Sequence, residues 1–412
     1  MSQNTGLAAY ITVTAAYWAF MLTDGALRML VLLHFHTLGF SPVQLAYLFL
    51  LYEFMGMVTN LSAGWIAARF GLTLTLYLGL GIQVVALVAL SQLDPAWSIV
   101  ASVVFVMCVQ GLSGVAKDLS KMSAKSAVKV LAPKEGGGLF RWVAVLTGSK
   151  NAVKGFGFLL GAGLLAVAGF QTAVWAMAAV LAAILVGTFV FMPSGLPQGK
   201  KSAKFSQVFS SDPNINRLSL ARMFLFGARD VWFVVGIPIY FYSVLSDGTV
   251  AGNRTAFFTI GTFMAVWIIL YGLVQGLAPA ILKAKDKTTP EVVSAALTWV
   301  GALTLIPLAI SAAVWVNMSG LVYFVVAGLL LFGFVFAVNS SVHSYLILAF
   351  TSEDCVTMDV GFYYMANAAG RLLGTLLSGL SYQAGGLPFC LLTAALMSLA
   401  STLATLRLRQ TS

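Results

Sequence analysis

The sequence predicts an all-α membrane protein with about a dozen transmembrane helices arranged in two related six-helix halves. Hydrophobic residues make up 60% of the 412 residues and charged residues only 9%, with a mean hydropathy of +0.94. A soluble domain is about one quarter charged, so this chain has too few charges to cover a water-facing surface. The apolar residues form long continuous runs without the alternation of barrel strands, and similar charged motifs occur in both halves.

The apolar runs set the order of the predicted helices. A bilayer core of about 30 Å needs roughly 20 apolar residues per helix, which leaves room for about twelve spans. The predicted spans are 8–33, 43–67, 73–92, 97–116, 140–167, 171–192, 217–243, 255–282, 290–313, 320–349, 356–382 and 388–406. The first run has no basic residue before it and no cleavage-like end, so we expect a retained helix.

The longest polar stretch, residues 193–216, divides the chain near its middle. It is rich in Gly, Ser, Pro and Lys, which is typical of a linker. The predicted organisation is an N-terminal six-helix half over 1–192, a cytoplasmic linker over 193–216 and a C-terminal six-helix half over 217–412.

Lysine and arginine are concentrated in alternate connectors. If the N-terminus is cytoplasmic, the outside connectors contain only Arg254, and the inside connectors contain Arg69, Lys121, Lys125, Lys129, Lys134, Lys200, Lys201, Lys204, Lys283, Lys285 and Lys287. Basic residues stay on the cytoplasmic side, so both termini are predicted to be cytoplasmic. This distribution explains the net charge of +10 without a nucleic-acid partner; the expected surroundings are the lipid bilayer.

Two motifs recur between the halves, which supports their division. The matching residues are Phe20 and Asp24 with Phe226 and Asp230, and Lys154, Gly157 and Gly161 with Arg371, Gly374 and Ser378. Repeated halves of this kind are the plan of carriers that bind their substrate near the bilayer midplane. The glycines are expected to allow close helix contact.

Ionisable residues inside the predicted spans are the main functional candidates. Each costs at least about 2.5–3.5 kcal/mol at the bilayer centre, so each is a functional hypothesis by default. They are Asp24, Arg28, Glu53, Lys150, Lys154, Arg229, Asp230, Asp359 and Arg371, with the cations in excess. This excess favours an organic anion as the small-molecule partner. Arg141 and Arg222 lie nearer span ends and are expected to snorkel.

The cations and their polar neighbours are predicted to bind that anion. Lys154 and Arg371 are expected to face each other, because arginine suits bidentate contact with oxyanions and lysine acts as a point charge. The whole predicted substrate-binding set is Arg28, Lys117, Lys121, Lys150, Asn151, Lys154, Arg229, Tyr363, Asn367 and Arg371. Asp24, Glu53 and Asp230 are the candidates for proton coupling.

Several candidates have two interpretations. Asp24 and Arg28 are four residues apart on one helix face. Either they form an internal ion pair, or Arg28 is shared with an anionic substrate and Asp24 changes partner or protonation during the transport cycle. Glu53 is a proton carrier or the fixed partner of a cation on the first or eleventh helix. Arg229 and Asp230 point about 100° apart, so one of them is expected to pair with another helix.

Further positions have structural explanations as well. Lys117 and Lys121 begin a basic stripe, continued by Lys125 and Lys129, that either anchors a helical extension at anionic lipid or attracts an anion. Asp359, near the start of its span, is expected to be a structural partner. His343, among Asn339 and serines, is expected to be a hydrogen-bonded core residue.

The chain shows no pattern typical of an enzyme or a metal protein. Cys108, Cys355 and Cys390 are far apart and form no CxxC pair. We find no nucleophile and base set and no phosphate-binding glycine loop. The prediction is therefore no enzymatic activity, no cofactor and no metal site.

A family resemblance sharpens these expectations. Residues 64–71 resemble the signature loop of the major facilitator superfamily, although Ala68 stands where the usual Asp would be, so the usual gating salt bridge lacks its acid. Residues 22–35, 116–129 and 146–154 are similar to the bacterial organoarsenical efflux permeases. That resemblance implies export of 1-arseno-3-phosphoglycerate across the bacterial inner membrane, arsenate resistance, and a functional link to glyceraldehyde-3-phosphate dehydrogenase.

Residues and resemblance together predict a secondary active transporter that exports an organic anion by alternating access with proton antiport. An organophosphate/phosphate exchanger, or another organic-anion transporter of the same superfamily, fits the same cations. A multidrug exporter of cationic compounds is disfavoured, because the membrane cations repel such substrates. A non-transporting receptor lacks support, because the chain has no long soluble domain.

Overall fold

The computed structural model describes residues 3–131, 138–192, 210, 212–282, 288–351 and 356–408. In this part of the chain the regular elements are all helices. They are α1 Gln3–Thr37, α2 Pro42–Leu61, α3 Ala63–Leu90, α4 Ile99–Leu131, α5 Gly138–Phe191, α6 Pro213–Val231, α7 Ile237–Leu245, α8 Val250–Ile281, α9 Thr289–Trp315, α10 Leu321–Phe350 and α11 Val356–Leu406. A π-helical segment, Trp232–Gly236, joins α6 to α7.

The helices account for the predicted number of spans. The described residues contain 10 helical segments long and apolar enough to cross a membrane. Two of these, Ser149–Phe191 and Asp359–Leu406, have 43 and 48 residues, about twice the length that one crossing needs. Gly169 with φ 76° interrupts the first, and Gly386 with φ 67° interrupts the second. Both φ angles lie in the left-handed region that favours glycine, so each of these long segments divides into two spans. The 10 helical segments therefore correspond to about twelve spans.

Two predicted boundaries change. The predicted second span reaches residue 67, whereas α2 ends at Leu61 and a new helix starts at Ala63. The predicted fourth span stops at residue 116, whereas α4 continues to Leu131. The basic stripe therefore belongs to a helical extension of the fourth span, as the spacing of its lysines indicates.

The chain forms two compact units that do not follow the predicted halves at two places. The first unit contains Met1–His34, Ser62–Ser206 and Gly248–Ile268, and the second contains Phe35–Leu61, Gln207–Asp247 and Ile269–Ser412. Thus α2 joins the second unit and the start of α8 joins the first. The predicted linker, 193–216, lies mostly outside the described residues.

Close glycine contacts explain these two exchanges. In the second unit, a Cβ on Gly379 of α11 would lie 2.6 Å from the carbonyl oxygen of Pro42, at the start of α2. In the first unit, a Cβ on Gly261 of α8 would lie 2.7 Å from the Cβ of Ala162 in α5. Small residues let helix backbones approach closely in lipid, so each of these helices packs where its glycine fits.

The glycines of the sequence repeat mark a helix crossing within each unit. In the first unit, Gly25 and Gly157 bring α1 against α5, and a Cβ on Gly161 would overlap the carbonyl oxygen of Ala26. In the second unit, a Cβ on Gly374 of α11 would lie 2.7 Å from the carbonyl oxygen of Gly227 in α6. The prediction that these glycines allow close helix contact is confirmed.

The π-helical segment is held by a side chain of α11. Its wider turn shifts the regular hydrogen bonding of the backbone. The N–H groups of Val235 and Gly236 donate to the Oγ of the buried Ser378, at 3.1 and 3.2 Å. The predicted span 217–243 is therefore a single membrane segment with a widened turn that is fixed to its neighbour.

Replacing Gly161 by Ala should weaken the contact between α1 and α5. The added methyl group overlaps backbone, so we expect a loss of roughly 1–3 kcal/mol of stability. Gly187→Ala, after the interruption at Gly169, is the matched control, because nothing lies within 4 Å of its added Cβ. Thermal unfolding of the purified proteins in detergent measures the difference, and equal melting temperatures would contradict the close contact.

Candidate functional site

The first unit contains a buried ion pair between α1 and α5. The Nζ of Lys154 lies 3.4 Å from Oδ2 of the buried Asp24. Lys154 is one turn before Gly157, so the close crossing of the two helices brings the ammonium group to the carboxylate. Asp24 therefore has a cation from another helix, which the sequence did not predict. Arg28, Lys150 and Asn151 are half-buried.

The second unit contains four charges of alternating sign, which we call the charge chain. Glu53 Oε1 accepts a hydrogen bond of 2.6 Å from Nη2 of Arg371. The Nε of Arg371 lies 3.4 Å from Oδ2 of Asp230. Asp230 Oδ1 accepts a hydrogen bond of 2.6 Å from Nε of Arg229, and Nη2 of Arg229 lies 2.5 Å from the same oxygen. The charge chain thus joins α2, α11 and α6, and its two carboxylates balance its two guanidinium groups.

Burial makes this pairing necessary. Glu53 and Asp230 are 0% and 1% exposed, and Arg229 is 9% exposed. An isolated charge in a low-dielectric interior is very costly, and a partner of opposite sign reduces that cost. Arg229 also lies 5.0 Å from the ring centre of Phe226 and 5.5 Å from that of Phe336, within the range of cation–π attraction.

The charge chain bears on interpretations that the sequence left open. Glu53 pairs with a cation on the eleventh span, Arg371, and its role in proton coupling stays a prediction. Either Arg229 or Asp230 was expected to pair with a residue of another helix, and Asp230 does so with Arg371 of α11. Asp230 also binds its neighbour Arg229. Adjacent residues on a helix point about 100° apart, but the side chain of Arg229 is long enough to reach the carboxylate of Asp230. Asp359 accepts a hydrogen bond of 2.6 Å from Thr351, the structural role predicted for it.

The two units hold equivalent acid and cation pairs. Asp24 and Lys154 in the first unit correspond in the sequence repeat to Asp230 and Arg371 in the second. Each pair lies beside a glycine crossing of the helices that carry it. Both units therefore contain an ion pair beside a close helix crossing, and in the second unit Glu53 and Arg229 also contact the residues of this pair.

Another buried acid lies beside the basic stripe. The fully buried Asp118 accepts a hydrogen bond of 2.9 Å from Lys121, and the Nζ of Lys117 lies 4.0 Å from its other oxygen. Lys117 and Lys121, which were predicted to bind substrate, thus have a carboxylate in their own helix. The side chains of Lys125, Lys129 and Arg141 lie outside the described part of the structure.

Sequence reasoning missed Arg222. It was expected to snorkel, yet it is 4% exposed and lies about 14 Å along α6 from Pro213. It contacts two predicted substrate-binding residues: its Nε donates to Oδ1 of Asn367 at 3.1 Å, and its guanidinium carbon lies 5.0 Å from the ring centre of Tyr363. The missed signal is the spacing: Arg222 lies two turns before Arg229, on the same helix face.

The described residues contain no group of three or more His, Cys, Asp or Glu side chains that could hold a metal ion. In this part of the chain Cys108 is exposed, Cys390 is buried, and neither forms a disulfide. Cys355 lies outside the described residues. The buried His343 has no hydrogen-bond partner among the described residues, contrary to expectation.

Comparison with known proteins identifies the fold. No protein-family model matches the chain, and no curated protein matches its sequence. The crystal structure of a bacterial homologue of the iron transporter ferroportin in the inward-facing state is similar, with a TM-score of 0.70 over 99% of both chains and 12% identity. The described part of the chain is thus all-helical, and the fold is that of the major facilitator superfamily, as the sequence predicts. At this identity the similarity shows the fold alone.

Neutralising Asp230 should destabilise the protein more than neutralising Glu53. Asp230→Asn leaves the buried Arg229 and the half-buried Arg371 with one carboxylate, whereas Glu53→Gln leaves Arg371 paired with Asp230. We expect a loss of about 3–5 kcal/mol for Asp230→Asn, the usual cost of breaking a buried ion pair. Thermal unfolding in detergent compares both variants with the exposed control Asp94→Asn. If Asp230→Asn has the same melting temperature as the control variant, the charge chain does not stabilise the fold.

Proposed function

We propose that the protein is a secondary active transporter that exports an organic anion, with 1-arseno-3-phosphoglycerate as its substrate. The observation that supports this most is the set of cations within the membrane spans, above all Lys154, Arg229 and Arg371. Charges at this depth are costly and belong to substrate or ion pathways. A dianionic ester with a carboxylate needs several such groups.

The fold supports transport by alternating access. Carriers built from repeated six-helix halves bind substrate near the bilayer midplane and move one repeat against the other. The ferroportin homologue is described as a homologue of an iron transporter, and that cargo is a property of its own family. In this chain the intramembrane cations favour an anion instead. The organoarsenical substrate and arsenate resistance come from the resemblance of residues 22–35, 116–129 and 146–154.

An anion can bind at the charge chain by taking the place of a carboxylate. Arg371 contacts both Glu53 and Asp230, so a phosphate, arsenate or carboxylate group can replace either one and keep the guanidinium neutralised. In the same way, an anion can replace Asp24 as the partner of Lys154. Proton antiport through Asp24, Glu53 or Asp230 is the coupling that we propose, since these are the buried acids that pair with the intramembrane cations.

The charge balance favours a second candidate, an organophosphate/phosphate exchanger. A carboxylate displaced by a bound anion binds a proton more tightly, so anion and proton tend to bind together instead of alternating. Exchange of one anion for another keeps the arginines of the charge chain neutralised without any proton movement. The two candidates share the binding residues and differ in the coupling.

Everted membrane vesicles that contain the protein should accumulate arsenic when supplied with arsenate, glyceraldehyde-3-phosphate, its dehydrogenase and NAD. Omitting any component should abolish accumulation, because the ester is then not made. Lys154→Ala and Arg371→Ala should reduce the rate at least tenfold, the effect of losing a charge-assisted contact of about 1.4 kcal/mol or more. The exposed Arg254→Ala is the matched control. No uptake above empty vesicles, in a preparation whose other transporters work, would reject the arsenical substrate.

The coupling can be tested with the same vesicles. Under proton antiport, dissipating the proton gradient should stop accumulation. Under exchange, accumulation should require inorganic phosphate loaded inside the vesicles and should continue without a proton gradient. Uptake that depends on neither would contradict both forms of coupling.

A further inference from the structure

Arg222 is a buried cation whose contacts are all neutral. Its Nη1 donates to the carbonyl oxygen and to the Oγ of Ser340, at 2.8 and 3.0 Å, and its Nε donates to Oδ1 of Asn367. Its guanidinium carbon lies 4.1 Å from the ring centre of Phe226. These contacts fix the guanidinium between α6, α10 and α11 and leave its charge uncompensated.

In the described ranges, no Asp or Glu carboxylate lies within ion-pair distance of Arg222. In this it differs from Lys154, Arg229 and Arg371, each of which has a carboxylate. Arginine keeps its charge in proteins, so it cannot escape the cost of burial by losing a proton. A buried guanidinium of this kind is stabilised by an anion.

The guanidinium also has donor capacity left. Arginine has five N–H donors, and the hydrogen bonds of Arg222 within the described part of the chain use Nε and Nη1. Its Nη2 is therefore available to an oxyanion. A guanidinium group that is fixed through Nε and Nη1 can donate from Nη2 to an oxygen of a phosphate, arsenate or carboxylate group.

Two further polar side chains on α10 have unused hydrogen-bonding capacity. Asn339 and His343 are both 0% exposed. Neither the amide of Asn339 nor the ring nitrogens of His343 have a hydrogen-bond partner among the described residues. They are one turn apart on one helix face, and Ser340, which binds Arg222, lies between them in the sequence of α10. Buried polar groups are normally hydrogen-bonded, so this capacity indicates a bound partner.

We propose that Arg222, Asn339 and His343 form an anion-binding subsite of the second unit, which receives one oxyanion group of the substrate. Arg222 supplies the charge and Nη2, and Asn339 and His343 supply hydrogen bonds. Ser340 and Asn367 are positioning residues, because they hold the guanidinium. This inference rests on the proposed function, since it assigns the site where the transported organic anion is bound.

The test measures binding of stable anions to the purified protein in detergent. The probes are 3-phosphoglycerate, glycerol 3-phosphate and inorganic phosphate, with dissociation constants from calorimetry and folding monitored by thermal unfolding. Arg222→Met should weaken binding about 10- to 100-fold, the effect of losing charge-assisted hydrogen bonds. Arg217→Met, five residues earlier on α6 and only half-buried, is the matched control and should bind as the wild type does.

A second variant keeps the test decisive if Arg222→Met does not fold. Asn339→Leu removes a buried amide that has no partner among the described residues, so a purely structural role predicts an equal or higher melting temperature and unchanged binding. The subsite predicts weaker binding in a folded protein. Unchanged dissociation constants in the folded variants would overturn the subsite and leave anion transport standing. A wild-type protein that binds none of the probes and shows no vesicle uptake would overturn both.

Discussion

The carboxylate of Asp230 is the contact on which the charged interior of the second unit depends. One oxygen binds Arg229 and the other faces Arg371, whose guanidinium in turn binds Glu53. These distances are set by a backbone feature, since Gly374 lets α11 approach α6 within reach of both side chains. A side chain at that glycine would separate the helices and move Arg371 away from Asp230. Close helix packing and charge neutralisation are therefore one constraint here.

The first unit meets the same constraint with fewer charges. Its pair of Asp24 and Lys154 lies beside Gly157, at the position that the sequence repeat assigns to Asp230 and Arg371. The units differ at the position seven residues after Lys154 or Arg371. In the first unit this residue is Gly161, which packs directly on the backbone of α1. In the second unit it is Ser378, which accepts hydrogen bonds from the N–H groups of the π-helical segment. The irregular turn of the seventh span therefore depends on a serine that only the second half has.

Hydropathy, connector charge and glycine spacing are local signals, and they predicted the helices, the repeat and the glycine crossings. Pairings between helices depend on packing that no local signal contains. For Asp24, the sequence offered only Arg28, four residues away on the same helix, as an ion-pair partner, and it did not indicate the contact with Lys154 of another helix. Likewise, the place of α2 in the second unit follows from Gly379, far away in the sequence. Arg222 was missed because its distance from a span end was judged without knowing which face of α6 is buried.

The contrast between Arg222 and the charge chain suggests how an anion could act on the second unit. Binding at Arg371 replaces an existing ion pair, so part of the attraction is offset by the carboxylate that is displaced. Binding at the subsite that we assign to Arg222 displaces no carboxylate among the described residues, so its full charge is available. Arg222 and Arg229 share a face of α6, two turns or about 10 Å apart. An ester with acidic groups at both ends could occupy Arg222 first and then compete for the arginines of the charge chain. In that order, only a substrate long enough to reach both groups would disturb the ion pairs that join α2, α6 and α11.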